Sequence, residues 1–324
     1  MLFEPLCIGI DLGVDSIKVA HLAKKRNTKT IKSLYKIENP IGKIAFDRPE
    51  EKDAICQCFA KINKIFPSKS AVIGISSKHL IFRNVRFPLL KGRELYEAIF
   101  WEIQEFSAMF NGEFISDYEL LDNRNNTYHI LLAAASKDIA MDYAKIAVDA
   151  GLPLKALDVY PLANARVLET QKKHGVTAII DLNSSHSEIT MVDNGKIVFN
   201  RCLDFFDINK IDDELCKIIK TDSSWFNNIK TGFDFLPLPY QNIILEISRT
   251  FEFYSLQSKG CRINEIMLIG KAGESHYCKD IFRSYFHIEV YTGREIKLDF
   301  VNENIKSNGD YVDYISAIGF ALRG

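Results

Sequence analysis

Hydrophobic positions recur along the chain with two periods, and each change of period marks a new element. Apolar residues alternate or run together through 6–22 and 29–37, predicting strands of a meander around the polar turn KKRNT. The period then lengthens: Ile55, Cys58, Phe59, Ile62, Ile65 and Phe66 fall on one face of a helix over 51–66. AVIGIS at 71–76 returns to a short buried strand, bounded by Pro67 and polar residues. After Pro88 and Gly92 a helix is predicted, with Leu95, Ile99 and Ile103 on one face. Segments 114–121 and 128–136 form a hairpin around DNRNN, and KDIAMDYAKIAVDAG is an amphipathic helix that Gly151 caps. YPLANARVLETQKK is a further helix, ending before His174 and Gly175.

The second half opens with strands over 178–203, joined by the hairpin signal Asp193, Asn194, Gly195. Residues 205–240 have weak periodicity, with a short helix near 211–220 and the breaker LPLP at the end. Ile244, Ile247, Phe251 and Tyr254 share a helical face over 241–258. INEIMLIGKAGES predicts a strand and a turn, 275–286 a helix, HIEVYTG a strand, and DYVDYISAIGFALRG a closing helix. The small residues Ala317 and Gly319 in that last helix permit close packing against backbone.

Two of these segments repeat each other. IGIDLGVDSIKVAHL, from Ile8, and IIDLNSSHSEITMVDNGKIVF, from Ile179, both read as strand, tight turn, strand. Each places an aspartate, Asp11 or Asp181, at the C-terminal end of a buried strand. Such an internal repeat predicts two similar halves that each present a turn and a carboxylate to a shared cleft.

Composition narrows the setting. A length of 324 residues suggests about two domains. With 47% hydrophobic and 26% charged residues the chain is an ordinary globular protein, and a net charge of -1 gives no reason to expect nucleic acid or an anionic membrane. Lys24, Lys25 and Arg26 read as a solvated hairpin turn. The N-terminus enters a strand at once without a signal-peptide pattern, and no apolar run approaches the ~18–20 residues of a membrane span. Cys7, Cys56, Cys58, Cys202, Cys216, Cys261 and Cys278 are odd in number and lack a C-x-x-C pair, which predicts a reducing cytoplasm rather than a disulfide framework. Neither the cysteines nor the seven histidines have metal-ligand spacing. Trp101 and Trp225 read as packing residues, and His186 as a solvated loop histidine.

The duplicated strand–Asp–turn–strand, followed late by a strand and a Gly-rich turn, resembles the actin-like ATPase superfamily of actin, sugar kinases and FtsA. Within it the chain resembles the PilM family of type IV pilus assembly. The matching stretches are IGIDLGVDSIKV, FPLLKGRELYEAIFWE, the DY at 117–118, AGLPLKALDVYPLANAR, EISRTFEFYSLQ and AIGFALRG, in that order. The resemblance implies an α/β, ribonuclease H-like duplicated fold. Its first actin-like subdomain would span 1–85 and 153–176, with an inserted subdomain of the FtsA/PilM type at 86–152. The second would span 177–204 and 260–324, with a small subdomain at 205–259.

It also implies a site for ATP and Mg²⁺ in the interdomain cleft. Asp11, Gly13, Ser16 and Lys18 would form the first phosphate loop, and Asp181, Asn183, Ser184 and Ser185 the second, with both aspartates serving the metal. Gly270 and Gly273 would lie in the adenosine turn, with Lys230 and Glu246 near the base or ribose. Two motifs depart from the family pattern. Asn183 stands where the second loop has glycine, and Gly270, Lys271, Ala272, Gly273 stand where the adenosine motif reads G-G-G-A. Asparagine tolerates positive φ, so the turn can survive; Lys271 could reach a phosphate or block the base. These departures imply weak or absent hydrolysis.

The function implied is a cytoplasmic scaffold that clasps the N-terminal tail of a PilN-like inner-membrane partner, in a groove between the first subdomain and the insertion. An extended peptide there would gain affinity from backbone hydrogen bonds and selectivity from apolar pockets. Phe87, Pro88, Asp158 and Pro161, at the insertion's junctions, are the candidate groove residues. Two other readings remain: a small-molecule kinase or phosphatase, which needs a well-formed phosphate site and a base, and an FtsA-like division protein. FtsA carries an amphipathic membrane-targeting helix at its end, whereas the last predicted helix here runs to LRG.

Overall fold

The computed structural model describes residues 4–13, 16–25, 28–39, 52–75, 80–110, 112–124, 126–171, 175–183, 187–203, 233–258, 260–275, 277–298 and 310–323. The expected helix near 211–220, the residues Ser184, Ser185, His186 and Lys230, and Trp225 lie outside them.

Alternation at the N-terminus builds the antiparallel meander β1 (Glu4–Leu12), β2 (Ser16–Lys25) and β3 (Thr28–Glu38). Helix α1 (Lys52–Ile65) then carries the chain over to β4 (Ala71–Ile75), which lies parallel to β1. Much later β8 (Leu154–Val159) adds parallel to β4, completing the order β3-β2-β1-β4-β8. The second half repeats this plan. β9 (Val176–Leu182), β10 (Ser187–Asp193) and β11 (Lys196–Cys202) form the meander. β12 (Ile263–Ile269) and β13 (Glu289–Thr292) add in parallel, giving β11-β10-β9-β12-β13. Asn194 and Gly195, at φ of 49° and 82°, make the turn between β10 and β11, the positive-φ pair that tight hairpins require.

Between β4 and β8 the chain forms β5 (Leu80–Pro88), α2 (Arg93–Gln104), β6 (Phe114–Arg124), β7 (Thr127–Ser136) and α3 (Lys137–Asp149). The three strands make a separate antiparallel sheet in the order β5-β7-β6. This sheet begins at Leu80, ahead of the expected start at 86. Helix α3, expected inside the insertion, instead gives Tyr143, Ile146 and Ala147 to the core that Ile55, Phe59 and Ile62 of α1 build on the first sheet.

Helix α4 (Tyr160–Glu169) follows β8, and the closing helix α8 (Ile315–Leu322) packs along it. In the second half α5 (Leu238–Gln257), the short α6 (Gly270–Glu274) and α7 (Cys278–Phe286) complete the helices. The period of two along a strand decides what each sheet face meets. Ile8, Ile10 and Leu12 face α1 and α3, while Cys7 joins Tyr160, Ala163 and Phe320 on the opposite side. Likewise Ala178, Ile180 and Leu182 face α5 and α7, whereas Ile179 meets residues of α4 and α8. Helices α4 and α8 are therefore the layer that both sheets share.

The close packing expected of the last helix is present. A Cβ on Gly319 would lie 2.2 Å from the Ala163 carbonyl oxygen, and one on Gly9 would lie 2.0 Å from that of Ala317. Two burial expectations fail. Ile65, the last residue of α1, is 40% exposed while Phe66 beyond it is buried, and Trp101 is 70% exposed on α2. Among the described residues no helix is long and apolar enough to cross a membrane.

Candidate functional site

Asp11 and Asp181 sit on the sheet faces that look toward α4, because they share strand parity with Gly9 and Ile179. Both are buried, Asp181 almost completely. Helix α4 supplies a donor to each from positions one turn apart, which project from the same helix face. Tyr160 Oη donates to Asp11 Oδ1 at 2.8 Å, and Asn164 Nδ2 donates to Asp181 Oδ2 at 3.1 Å. Ser316 of α8 in turn donates to Asn164 Oδ1 at 3.0 Å, fixing which end of the amide faces Asp181. Burial, followed by the charge of Asp11, pushes the Tyr160 phenol well above its ordinary pKa, so it stays protonated and donating.

The first turn is tight. Gly13 N–H donates to the Ser16 carbonyl at 3.1 Å, and a Cβ on Gly13 would lie 2.7 Å from that oxygen. Lys18 is paired with Asp11 in the β1–β2 register, and Ser16 is buried. The second and third turns are joined by one side chain. Asn183 Nδ2 donates to Asp181 Oδ1, while Asn183 Oδ1 accepts the Lys271 N–H at 3.3 Å. Gly270, at φ of 65°, bridges to Leu182, and a Cβ on it would lie 2.5 Å from both Asn183 Nδ2 and Asp181 Oδ1. Only glycine satisfies both that φ and that space.

The structure thus gathers Asp11, Gly13, Ser16, Asp181, Asn183 and Gly270 around α4. Gly273 packs on β12, where a Cβ would meet the Leu268 carbonyl oxygen at 2.7 Å. The Glu246 carboxylate pairs with Arg201 of the edge strand β11 at 3.0 Å and with Arg249 at 2.8 Å. Tyr160 and Asn164 were not singled out from sequence, although two polar residues at that spacing in YPLANAR are a visible signal.

Asp11 and Asp181 are the carboxylates that would serve a metal at this cleft, and the tips of the two phosphate turns, 14–15 and 184–186, lie outside the described residues. A hard cation takes carboxylate oxygens, water and phosphate, and the donors from Tyr160 and Asn164 orient the two aspartates while leaving them lone pairs for such an ion. Phosphate-binding turns present backbone N–H groups, and those of Gly13 and Lys271 are bonded internally. Among the described residues no cluster of histidine, cysteine, aspartate and glutamate could hold a metal ion.

A second concave site, about 500 Å³ in volume, opens between the inserted sheet and the first half. One wall is the consecutive run Ile115–Glu119 of β6, and the other is built from β8, α4 and Arg323. β6 is the outer strand of its sheet, and residues 115–120 are all exposed. Parity aims Asp117 and Glu119 to the groove side, in register with Ala133 and Leu131. Among the described residues neither carboxylate is held in an ion pair. Asp117 Oδ1 accepts the Tyr118 N–H at 2.8 Å, capping an edge-strand donor.

At the floor lies Asp158, only 1% exposed. Arg166 grips it with a fork, at 2.6 and 3.3 Å, and Arg323 reaches it at 3.1 Å. Of the four groove candidates, Asp158 lines this cavity. Pro161 is buried in the first turn of α4. Phe87 faces the core under α2, and Pro88 pairs with Thr127 at the far end of β5, so both lie away from the lining.

Residues 9–324 match the family described as type IV pilus assembly protein PilM. No curated protein matches. Among solved structures, the PilM-PilN type IV pilus biogenesis complex superposes with a TM-score of 0.76 at 18% identity, covering 98% of both chains. A Bacteroides thetaiotaomicron protein with an actin-like ATPase fold gives a TM-score of 0.45 at 11% identity, covering 94% of both chains. The ethanolamine utilization protein EutJ of Carboxydothermus hydrogenoformans gives 0.48 at 14%, covering 100% of this chain and 91% of its own.

Proposed function

Because the chain belongs to the PilM family of type IV pilus assembly proteins, we propose that it is an actin-like scaffold that holds a tail of a PilN-like inner-membrane protein. The groove beside β6 carries this reading. It is walled by an exposed edge strand on one side and by apolar side chains such as Leu157 and Leu162 on the other. An extended peptide entering it would add to the β6 edge through backbone hydrogen bonds and place alternate side chains against the apolar wall. Asp117 and Glu119 favour a cationic residue in that peptide; Asp158 is already engaged by two arginines and serves the floor. Attachment through such a tail would hold the protein at the cytoplasmic face of the inner membrane.

The test uses a labelled synthetic peptide carrying the N-terminal cytoplasmic tail of the PilN-like partner. Ala133→Trp fills the groove opposite Asp117 without touching the cleft at Asp11 and Asp181. Tail affinity is expected to fall at least about tenfold, the equivalent of ~1.4 kcal/mol. Undiminished affinity in a folded variant would reject the groove as the binding place.

The ATP and Mg²⁺ implied by the resemblance take no part in this reading. The tail needs only the groove.

A further inference from the structure

Strand β6 borders two cavities, one on each of its faces. Its odd-numbered residues look into the groove beside β8 and α4, and its even-numbered residues look the other way, toward α2. Ser116 and Tyr118 are in register with Ala134 and Leu132 of β7, which belong to the core beneath α2. There a cavity of about 620 Å³ opens between α2 and β6, and Ser116, Asp117 and Tyr118 line both it and the groove. Tyr96 and Phe100, one turn apart on α2, flank it together with Tyr118, and all three are exposed. Ile99 and Ile103 line it more deeply. Of its charged residues, Glu113 and Lys137 are paired with each other at 2.5 Å, and Asp117 turns its carboxylate to the groove side. The α2 cavity is therefore aromatic and apolar, where the groove is acidic.

On the reading that the groove holds an extended tail, we infer that the α2 cavity is a second binding site for the same tail, one that takes an aromatic or large aliphatic side chain. A strand added at the β6 edge alternates its side chains between the two faces that β6 itself presents. Residues of one parity enter the groove beside Asp117 and Glu119, and those of the other parity enter the cavity beside Tyr96 and Phe100. One edge thus reads two chemistries at neighbouring positions: a cation on the groove side and a large apolar group on the other. Such a group meets ring faces and edges at Tyr96, Phe100 and Tyr118, and its burial takes their exposed apolar surface out of water. The Tyr118 N–H, held by Asp117 Oδ1 at 2.8 Å, is the donor that an incoming carbonyl takes, and that exchange releases the carboxylate toward the tail's cation. A tail suits this edge better than a second copy of the chain. Pairing β6 with β6 would bring together Asp117 and Glu119 of both copies, and like charges across a strand pair are destabilising.

The labelled tail peptide is titrated by fluorescence anisotropy against the full chain, against Ala133→Trp, and against the double variant Tyr96→Ala, Phe100→Ala, at low and high salt. Both replaced rings are exposed, so the double variant keeps its fold, which an unchanged unfolding midpoint checks. Its affinity for the tail is expected to fall at least about tenfold. The salt dependence of binding stays that of wild type, because no charge has been removed. An alanine scan of the tail should then split into two interleaved sets: positions of one parity lose their effect in the double variant, and those of the other parity keep it. Affinity that falls with Ala133→Trp but not with the double variant would overturn this inference and leave the groove standing. Sensitive tail positions that do not alternate, or a flatter salt dependence in the double variant, would overturn it as well. A tail that wild type does not bind, or that Ala133→Trp does not weaken, would reject the groove itself.

Discussion

Replacing Asp158 with alanine removes the carboxylate on which the groove floor is assembled. Deleting one partner of a buried ion pair typically costs ~3–5 kcal/mol, because the other charge is stranded. Here the cations are not fully stranded: Arg166 is 26% and Arg323 37% exposed, against 1% for the carboxylate. Arg323 also keeps its 2.8 Å bond to the Leu157 carbonyl, and Arg166 its 3.2 Å bond to that of Gly319. The Arg323 contact therefore belongs with surface pairs, worth about 0.5 kcal/mol. The forked Arg166 contact is charge-assisted and half-covered, worth about 2 kcal/mol. Together with the packing lost around the deleted carboxylate, the expected destabilisation is about 3 kcal/mol, at the lower edge of the buried-pair range. Urea titration of wild type and Asp158→Ala measures it. Double-mutant cycles with Arg166→Ala and Arg323→Ala then rank the two couplings. A loss below about 1 kcal/mol, or a larger coupling to Arg323 than to Arg166, would refute this account of the floor.

Three further outcomes follow from the same geometry. Gly319→Ala puts a Cβ 2.2 Å from a backbone oxygen that cannot rotate away, so α8 must move off α4; a loss of about 2–3 kcal/mol in a denaturant titration is expected, and an unchanged midpoint would contradict the packing. His21 has its pKa lowered from 6.5, by burial first and then by Lys69 and Lys32, so the unfolded chain binds its proton more readily. That contribution to stability is complete above pH 6.5 and is lost as the pH falls toward the folded value; His21→Gln should flatten the slope of stability with pH just below 6.5, and an identical slope would exclude His21 as its source. Trp101→Ala, on an exposed face, should change stability by no more than about 0.5 kcal/mol, and a loss several times larger would mean that the indole is covered in the working protein.

Much of the architecture was legible because the fold is a duplication. Asp11 and Asp181 end equivalent strands, and a period-two pattern beside a helical one is hard to mistake. Ala317 and Gly319 announced the close contact of α8 for the same reason: small residues on one helix face leave room for backbone. Trp101 was misjudged from its type, although its position held the answer. At about 100° per residue it points some 200° away from Ile99, the buried centre of α2. Ile65 followed the stripe of α1, but the helix ends there, and Phe66, whose N–H bonds the Ile62 carbonyl at 2.8 Å, takes the inward position. Asn183 was visible as a departure from glycine, yet its consequence was not, since the N–H it binds belongs to Lys271, far along the chain. The groove was expected beside the insertion, with Asp158 among its candidates, but its other lining residues were hidden for a similar reason. Asp117 and Glu119 meet Arg166 and Arg323 around one cavity only after the inserted sheet folds back over β8.

Helix α4 connects the two sites. Tyr160 and Asn164 lie on one side of it, against the aspartates; Leu162 and Arg166, displaced by half a turn, lie on the other and wall the groove. A wall that leaned with nucleotide occupancy would present a different groove in each state. Tyr160 and Asn164 bond α4 to Asp11 of one half and Asp181 of the other, which anchors the groove wall before any peptide arrives. Preorganisation of that kind reduces the ordering cost of binding. It suits a scaffold that must keep hold of its partner. Asn164→Ala, which frees α4 from Asp181, should then weaken the tail's hold at a distance in a peptide titration, although Asn164 does not line the groove.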